Sequence, residues 1–272
     1  MAESYLRIAG LIICLRADPS VLEGLRRRCG EYATPPAAAD LTVDARAVSG
    51  FTPAAPTVAA YPNADVERDA DGYRFRRMDL EARLVPGERA VATCITAGSP
   101  LSLECVLRLC LSVLLPARGA LMVHCAALAH SSGGYAFTGV SGSGKSTVLK
   151  FLADDPRVQS LGDEVTILRP VTDGVVVEST PFGGELDPVP PASALLKRLF
   201  FLNRSPGRLD TPTGRSVRLL RNCLSYSRDA TLARLTVDHA HAVVTRSECR
   251  EIVRPTPAEL RAAIDLSDPI SG

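Results

Sequence analysis

Residues 139 to 146 read GVSGSGKS, which satisfies the pattern Gly-x-x-x-x-Gly-Lys-Ser of a phosphate-binding loop. Gly139, Gly142 and Gly144 lack side chains, so the backbone can wrap an anion with its amide hydrogens pointing inward. Ser141 and Ser143 fall within the same cradle, and the helix predicted after it adds the positive end of its dipole. Lys145 is placed to lie along the terminal phosphates, Ser146 to bind the accompanying magnesium ion, and Thr147 to open the helix. The context agrees with the motif, because an apolar strand pattern (Tyr135, Ala136, Phe137) enters it and a helix pattern (Val148, Leu149, Phe151, Leu152) leaves it. A nucleoside triphosphate is the expected ligand.

Three further details narrow the type of loop. Asp163 and Glu164 follow Lys145 by only eighteen and nineteen residues, closer than the acidic strand end of motor and transporter ATPases. His124 stands alone in an apolar strand fifteen residues before Gly139, where a histidine is otherwise an ordinary core residue. A strand pair joined by a tight turn, rather than a single strand, runs into the loop.

Together these features resemble the HPr kinase/phosphorylase family and its relatives in the ATP-dependent phosphoenolpyruvate carboxykinase superfamily. The run from His124 through GVSGSGKST to GDEVTIL is similar to the core of the smaller members, serine kinases related to HPr kinase. Some of those phosphorylate a serine in the precursor of a ribosomally made peptide. The resemblance covers roughly residues 116 to 190, and the C-terminal part loosely. It implies ATP and Mg2+ as cofactors, with Lys145 and Ser146 on the phosphates and metal. It also implies Asp163 on magnesium, Glu164 as base for the acceptor hydroxyl, and His124 near the transferring group. Glu178, at a strand end, is a candidate metal ligand, with Glu185 in PFGGE as its competitor. Each is equally well read as a surface carboxylate. The chain departs from the family at Glu164, where the family has aspartate, and at Thr147, where HPr kinase itself has an acidic residue. An arginine could add transition-state charge, and the sequence does not choose among Arg204, Arg208, Arg215, Arg218 and Arg221.

These residues need elements to hold them. The fold class expected is α/β: a phosphate-loop kinase core of the HPr kinase/phosphoenolpyruvate carboxykinase type over residues 116–272, behind an α+β region over residues 1–115. In the first region Tyr5 to Leu15 predicts a strand and Pro19 to Cys29 a short basic helix. Tyr73 to Leu84 and Ala90 to Thr96 flank a Pro86-Gly87 turn and predict a hairpin. The basic residues Arg26 to Arg28, Arg74, Arg76 and Arg77 read as solvated. Pro/Ala runs at Pro35 to Asp40 and Thr52 to Pro62 read as linkers. Ser99 can cap a helix from Pro100 to Leu115, ended by Pro116 and almost wholly buried, with Glu104, Arg108 and Ser112 on one stripe.

In the second region strands are predicted at Leu121 to Ala129, Tyr135 to Thr138, Val158 to Leu161, Val165 to Leu168 and Val175 to Glu178. Helices follow at Leu195 to Asn203, Val217 to Tyr226 and within Thr231 to Thr245. A last strand at Glu251 to Arg254 precedes a helix from Pro257 to Asp265, opened by a capping box at Thr256 and Glu259.

Composition excludes several classes. The 272 residues carry 31 Lys and Arg against 30 Asp and Glu, so the basic excess of a nucleic-acid binder is missing. Apolar runs are too short or too charged to predict a membrane span, and the first residues show no basic leader before an apolar stretch. Eight cysteines form no metal-ligand spacing and read as small hydrophobes in a reducing cytoplasm. The expected partner is a peptide or protein bearing serine or threonine, not nucleic acid or membrane. HPr kinase is a hexamer, but the different amino-terminal region leaves open whether this chain is a homo-oligomer. Two other activities fit the same residues: a kinase of a small hydroxylated metabolite such as free serine, and a non-catalytic nucleotide-gated binding module.

Overall fold

The structure is a computed structural model that describes residues 1–52, 64–184, 189–203 and 211–266. It is mixed α/β with two sheets, divided between two compact units. The first comprises Met1–Arg118 with Ser225–Leu235, the second Gly119–Leu224 with Thr236–Gly272.

The first unit opens with β1 (Ala2–Ile8), β2 (Leu11–Ala17), α1 (Pro19–Cys29), β3 (Leu41–Ala47) and β4 (Asp65–Arg68). It continues through β5 (Tyr73–Arg77), β6 (Leu80–Val85), β7 (Ala90–Thr96) and α2 (Pro100–Ala117). The strands form one sheet in the order β1-β2-β3-β7-β6-β5-β4. Instead of one strand from Tyr5 to Leu15, the chain reverses at Ala9 and Gly10, whose φ values of 52° and 80° make a two-residue hairpin turn. Alanine at the first left-handed position hides that turn from a search for Asn-Gly or Gly-rich pairs. One of the arginines expected to be solvated is not, and another is half-buried. Arg77 is buried and paired with Asp79, and Arg28 donates to the buried carboxylate of Glu104 at 2.6 Å.

In α2, Glu104 and Arg108 form a buried ion pair at 2.8 Å, and Ser112 donates to the Leu109 carbonyl. The helix is long and apolar enough to cross a membrane by length and composition, but it is 83% buried, packed on α1, β6 and β7. Pro116 lies inside its last turn rather than after it. Residues 225–235, expected with the second region, group with the first unit, where Asp229 pairs with Arg68.

The second unit contains β8 (Leu121–His130), β9 (Gly133–Thr138), α3 (Lys145–Leu152), β10 (Gln159–Gly162), β11 (Val165–Val171) and β12 (Gly174–Glu178). There follow β13 (Ser193–Asn203), α4 (Pro212–Leu220), α5 (Ala230–Arg246, whose first turns belong to the first unit), β14 (Glu248–Val253) and α6 (Pro257–Ala263). The strands run β10-β8-β11-β12-β13-β14, with β9 bridging β8 and β13. The pairings β8–β11–β12–β13–β9–β8 therefore close a ring that includes the two longest strands, β8 and β13.

Successive side chains of β8 point to opposite faces, and both faces are covered. Val123, Cys125 and Ala127 join a core with Leu219 of α4 and Ala240, Val243 and Val244 of α5. Ala126 and Leu128 join another with Val148, Leu149 and Leu152 of α3 and Leu260 and Ile264 of α6. The same two-sided burial explains the main error of the sequence reading, which expects a helix at Leu195 to Asn203. The run is β13, with Leu199 and Phe201 in the first core and Phe200 and Leu202 in the second. A strand buried on both faces loses its alternation and reads like a buried helix. The helix expected from Val217 to Tyr226 begins earlier, capped by Thr211, and the chain beyond it runs extended beside β8. The capping box at Thr256 and Glu259 is present as expected.

Asp155, just after α3, ties this helix to α6. It accepts from Arg157 Nε at 2.9 Å and from Arg261 Nη1 at 2.7 Å, and Arg157 first, then Arg261, holds its carboxyl well below the usual carboxylate range. A depressed carboxyl stabilises the fold above its unfolded value of about 3.9, and that stability is lost as pH falls through the folded value. Asp155→Asn should therefore melt below wild type at pH 7, and the gap should close as thermal unfolding is repeated from about pH 4 downward.

Candidate functional site

The site grows from the end of β9. Thr138 pairs in parallel with Phe201 of β13, so the chain enters the loop alongside the Leu202 carbonyl. A Cβ on Gly139 would stand 2.7 Å from that carbonyl oxygen and 2.7 Å from Ser143 Oγ, so the first loop position tolerates only glycine. Gly142 and Gly144 take φ values of 71° and 99°, which direct successive loop amides toward one side. Ser143 N–H donates to the Val140 carbonyl at 3.0 Å, and Gly144 caps α3. Gly139→Ala should cost about 1–3 kcal/mol, because β13 cannot recede without breaking its own pairs. A denaturant titration reads the loss, and weakened nucleotide binding should accompany it.

Lys145 is buried, and its ammonium donates to the carbonyls of Gly139 at 2.9 Å and Val140 at 3.3 Å. Among the described residues no carboxylate lies within ion-pair distance of it. Burial pushes its pKa down, partly opposed by the fields of Cys125 and Glu164. Beneath it Cys125 shares a 2.6 Å hydrogen bond with Thr166, and burial raises this thiol to about 11, so it stays protonated. Ser143 Oγ is buried without a hydrogen-bond partner. A buried cation hydrogen-bonded to backbone carbonyls, an orphaned hydroxyl and a glycine cradle are what an oxyanion ligand would complete.

The acidic pair arrives from the other wall. β10 ends at Gly162 and β11 begins at Val165, so Asp163 and Glu164 occupy the corner between them. Val165 pairs with His124 across β8 and β11, which brings the histidine beside that corner. The His124 backbone N–H donates to the Asn222 carbonyl at 2.7 Å, so the segment after α4 steadies the strand there. Asp163 is buried, and its Oδ1 accepts the Gly184 N–H at 2.9 Å. One cavity of about 350 Å3 is lined by His124, Ser141, Gly142, Gly144, Lys145, Ser146, Thr147, Asp163, Glu164 and Gly184.

The cavity thus gathers His124, Ser141, Gly142, Gly144, Lys145, Ser146, Thr147, Asp163 and Glu164 from the sequence reading, with Gly139 and Ser143 packed together behind them in the same loop, and it does not include Glu178. That carboxylate, at the end of β12, accepts from Arg169 Nε at 2.8 Å and does not line the cavity. Its placement as a metal ligand therefore needs correcting: the β11–β12 turn aligns it with an arginine on the neighbouring strand. Glu178→Gln should leave nucleotide binding and turnover unchanged and cost about 0–1 kcal/mol of stability. Glu185, Arg204 and Arg208 lie outside the described residues. Arg218 is engaged by Glu251 and Asn203 and stacks over Phe201, and no described arginine lines the cavity.

Among the described residues no three of His, Cys, Asp and Glu converge as a metal cage. Magnesium does not require one, since it is usually held by one or two carboxylates together with phosphate oxygens and water. Asp163, Glu164 and Ser146 fit that pattern. Gly184 is the one cavity residue without a sequence signal, because a glycine in a loop carries no periodicity or motif to mark it. A search of protein-family models finds none that matches this chain, and a search of curated proteins finds no similar relative.

Proposed function

We propose that the chain is an ATP-dependent kinase that transfers the γ-phosphoryl group to a serine or threonine hydroxyl of a peptide or protein. Its second unit would be a phosphate-loop core of the HPr kinase type, acting in the cytoplasm. The observation that carries this reading is the convergence of Lys145, Ser146, Asp163, Glu164 and His124 on one cavity.

Bound MgATP supplies the transferable group and a divalent charge beside it. The loop amides and the Lys145 ammonium hold the phosphate chain and neutralise charge that shifts during transfer. Ser146 and Asp163 would hold the metal. Glu164, on the same wall, takes the proton of the acceptor hydroxyl, and His124 orients the groups at the cavity mouth. Pre-positioned charge of this kind is most of what phosphoryl transfer asks of a protein.

Labelled ATP offered with serine-bearing peptides should yield a phosphopeptide. Label appearing only in free serine or another metabolite would replace the acceptor in this reading. Nucleotide binding without transfer to any acceptor would replace catalysis with a gated binding role.

A further inference from the structure

Gly184 lines the cavity at the end of a short ledge that follows β12. The base of the ledge is fixed: Ser179 N–H donates to the Ala192 carbonyl at 2.9 Å, and Ser179 Oγ donates to the Pro190 carbonyl at 3.0 Å. Its middle is clamped to the acidic corner, because Thr180 Oγ1 donates to the Val165 carbonyl at 2.6 Å. Thr180 Oγ1 also accepts the Phe182 N–H at 3.3 Å, and the Phe182 ring is fully buried. The ledge thus grips the segment 163–165 at both ends, through Thr180 on Val165 and through Gly184 on Asp163.

The tip of the ledge touches both carboxylates at once. A Cβ on Gly184 would lie 3.1 Å from Asp163 Oδ2, 3.1 Å from Glu164 Oε2 and 3.0 Å from Glu164 Cβ. A side chain there would require both carboxylates to give by a few tenths of an ångström. The N–H of the same residue anchors Asp163 through its other oxygen. One residue therefore sets the orientation of the first carboxylate and the distance of approach of the second.

We infer that Gly184 is a positioning residue for the metal-dependent step, its N–H and bare Cα setting how Asp163 and Glu164 face the bound magnesium nucleotide. This rests on the kinase reading above for the identity of the ligand. Neighbours that orient metal-binding carboxylates typically change metal affinity or activity by about tenfold to a hundredfold when altered.

The test compares wild type with Gly184→Ala by titrating a fluorescent ATP analogue in EDTA and again across a magnesium series. Affinity in EDTA should match wild type, since the loop is untouched, while the magnesium needed for half-maximal tightening should rise about tenfold. Turnover should fall by about a hundredfold with little change in KM for ATP. An unchanged magnesium response would overturn the inference. If Gly184→Ala fails to fold, Thr180→Val decides instead: it loosens the ledge without crowding the carboxylates. It should shift the magnesium response in the same direction by a smaller factor, and a wild-type response would overturn the inference. Should wild type bind magnesium nucleotide but transfer no phosphoryl group, the kinase reading falls while the binding comparison still judges Gly184.

Discussion

Lys145→Met should lower phosphoryl transfer by about a thousandfold while leaving the fold about as stable as before. The two halves of that expectation have different causes. Transfer suffers because the ammonium is the one lysine or arginine charge among the described residues lining the cavity. Stability does not, because the buried lysine contributes little to it. It carries the penalty of desolvation, seen in its lowered pKa, and is compensated by two carbonyl oxygens and in part by the field of Glu164. Methionine of similar length removes that penalty and leaves the two carbonyls short of a donor, at about 1 kcal/mol each. The two terms oppose each other. Thermal melts with and without nucleotide separate them. MgATP at a hundred times its Kd should stabilise wild type by about 2.7 kcal/mol, and the variant should show almost none of this shift. A lysine with a structural role would give the opposite pattern, a lower melting point without ligand and a retained ligand response.

Much of this site was legible in the sequence because its pieces are local. The loop from Gly139 to Ser146 is a contiguous motif, and Asp163 and Glu164 sit at a turn between two short apolar runs. Distance along the chain already implied that the loop helix and one return strand lie between them. His124 was legible for a related reason, as the only charged or polar side chain between Leu121 and Ala129.

What escaped the sequence depends on tertiary placement. The helical expectation for β13 failed because both sheet faces are covered, and an unbroken apolar run does not state its own period. Glu178 was misplaced because a strand end says nothing about which neighbour it meets, and here the neighbour is Arg169. Gly184 was invisible because its role lies in what it lacks, a Cβ that would strike residues twenty positions earlier.

The second large effect concerns the acid corner. Glu164→Gln should lower turnover by about a hundredfold to ten-thousandfold, the range for a lost general base, with nucleotide affinity held within a few-fold of wild type. Asp163→Asn should behave differently. Asp163 is the buried member, anchored by Gly184 at 2.9 Å; on the proposed reading it would hold the metal, so its loss should weaken magnesium-dependent binding as well as turnover. Glu164 is half-exposed and can exchange a proton with an incoming hydroxyl. Glu164→Asp shortens the side chain by one methylene. If the glutamate is fitted to this acceptor, the shorter carboxylate should retain the pH dependence of turnover and lose part of its magnitude. Glutamine should lose the acidic limb of the pH profile altogether, since that limb reports protonation of the base. Equal turnover in Glu164→Gln and wild type would remove Glu164 from the chemistry and leave Asp163 as the other acid among the described residues lining the cavity.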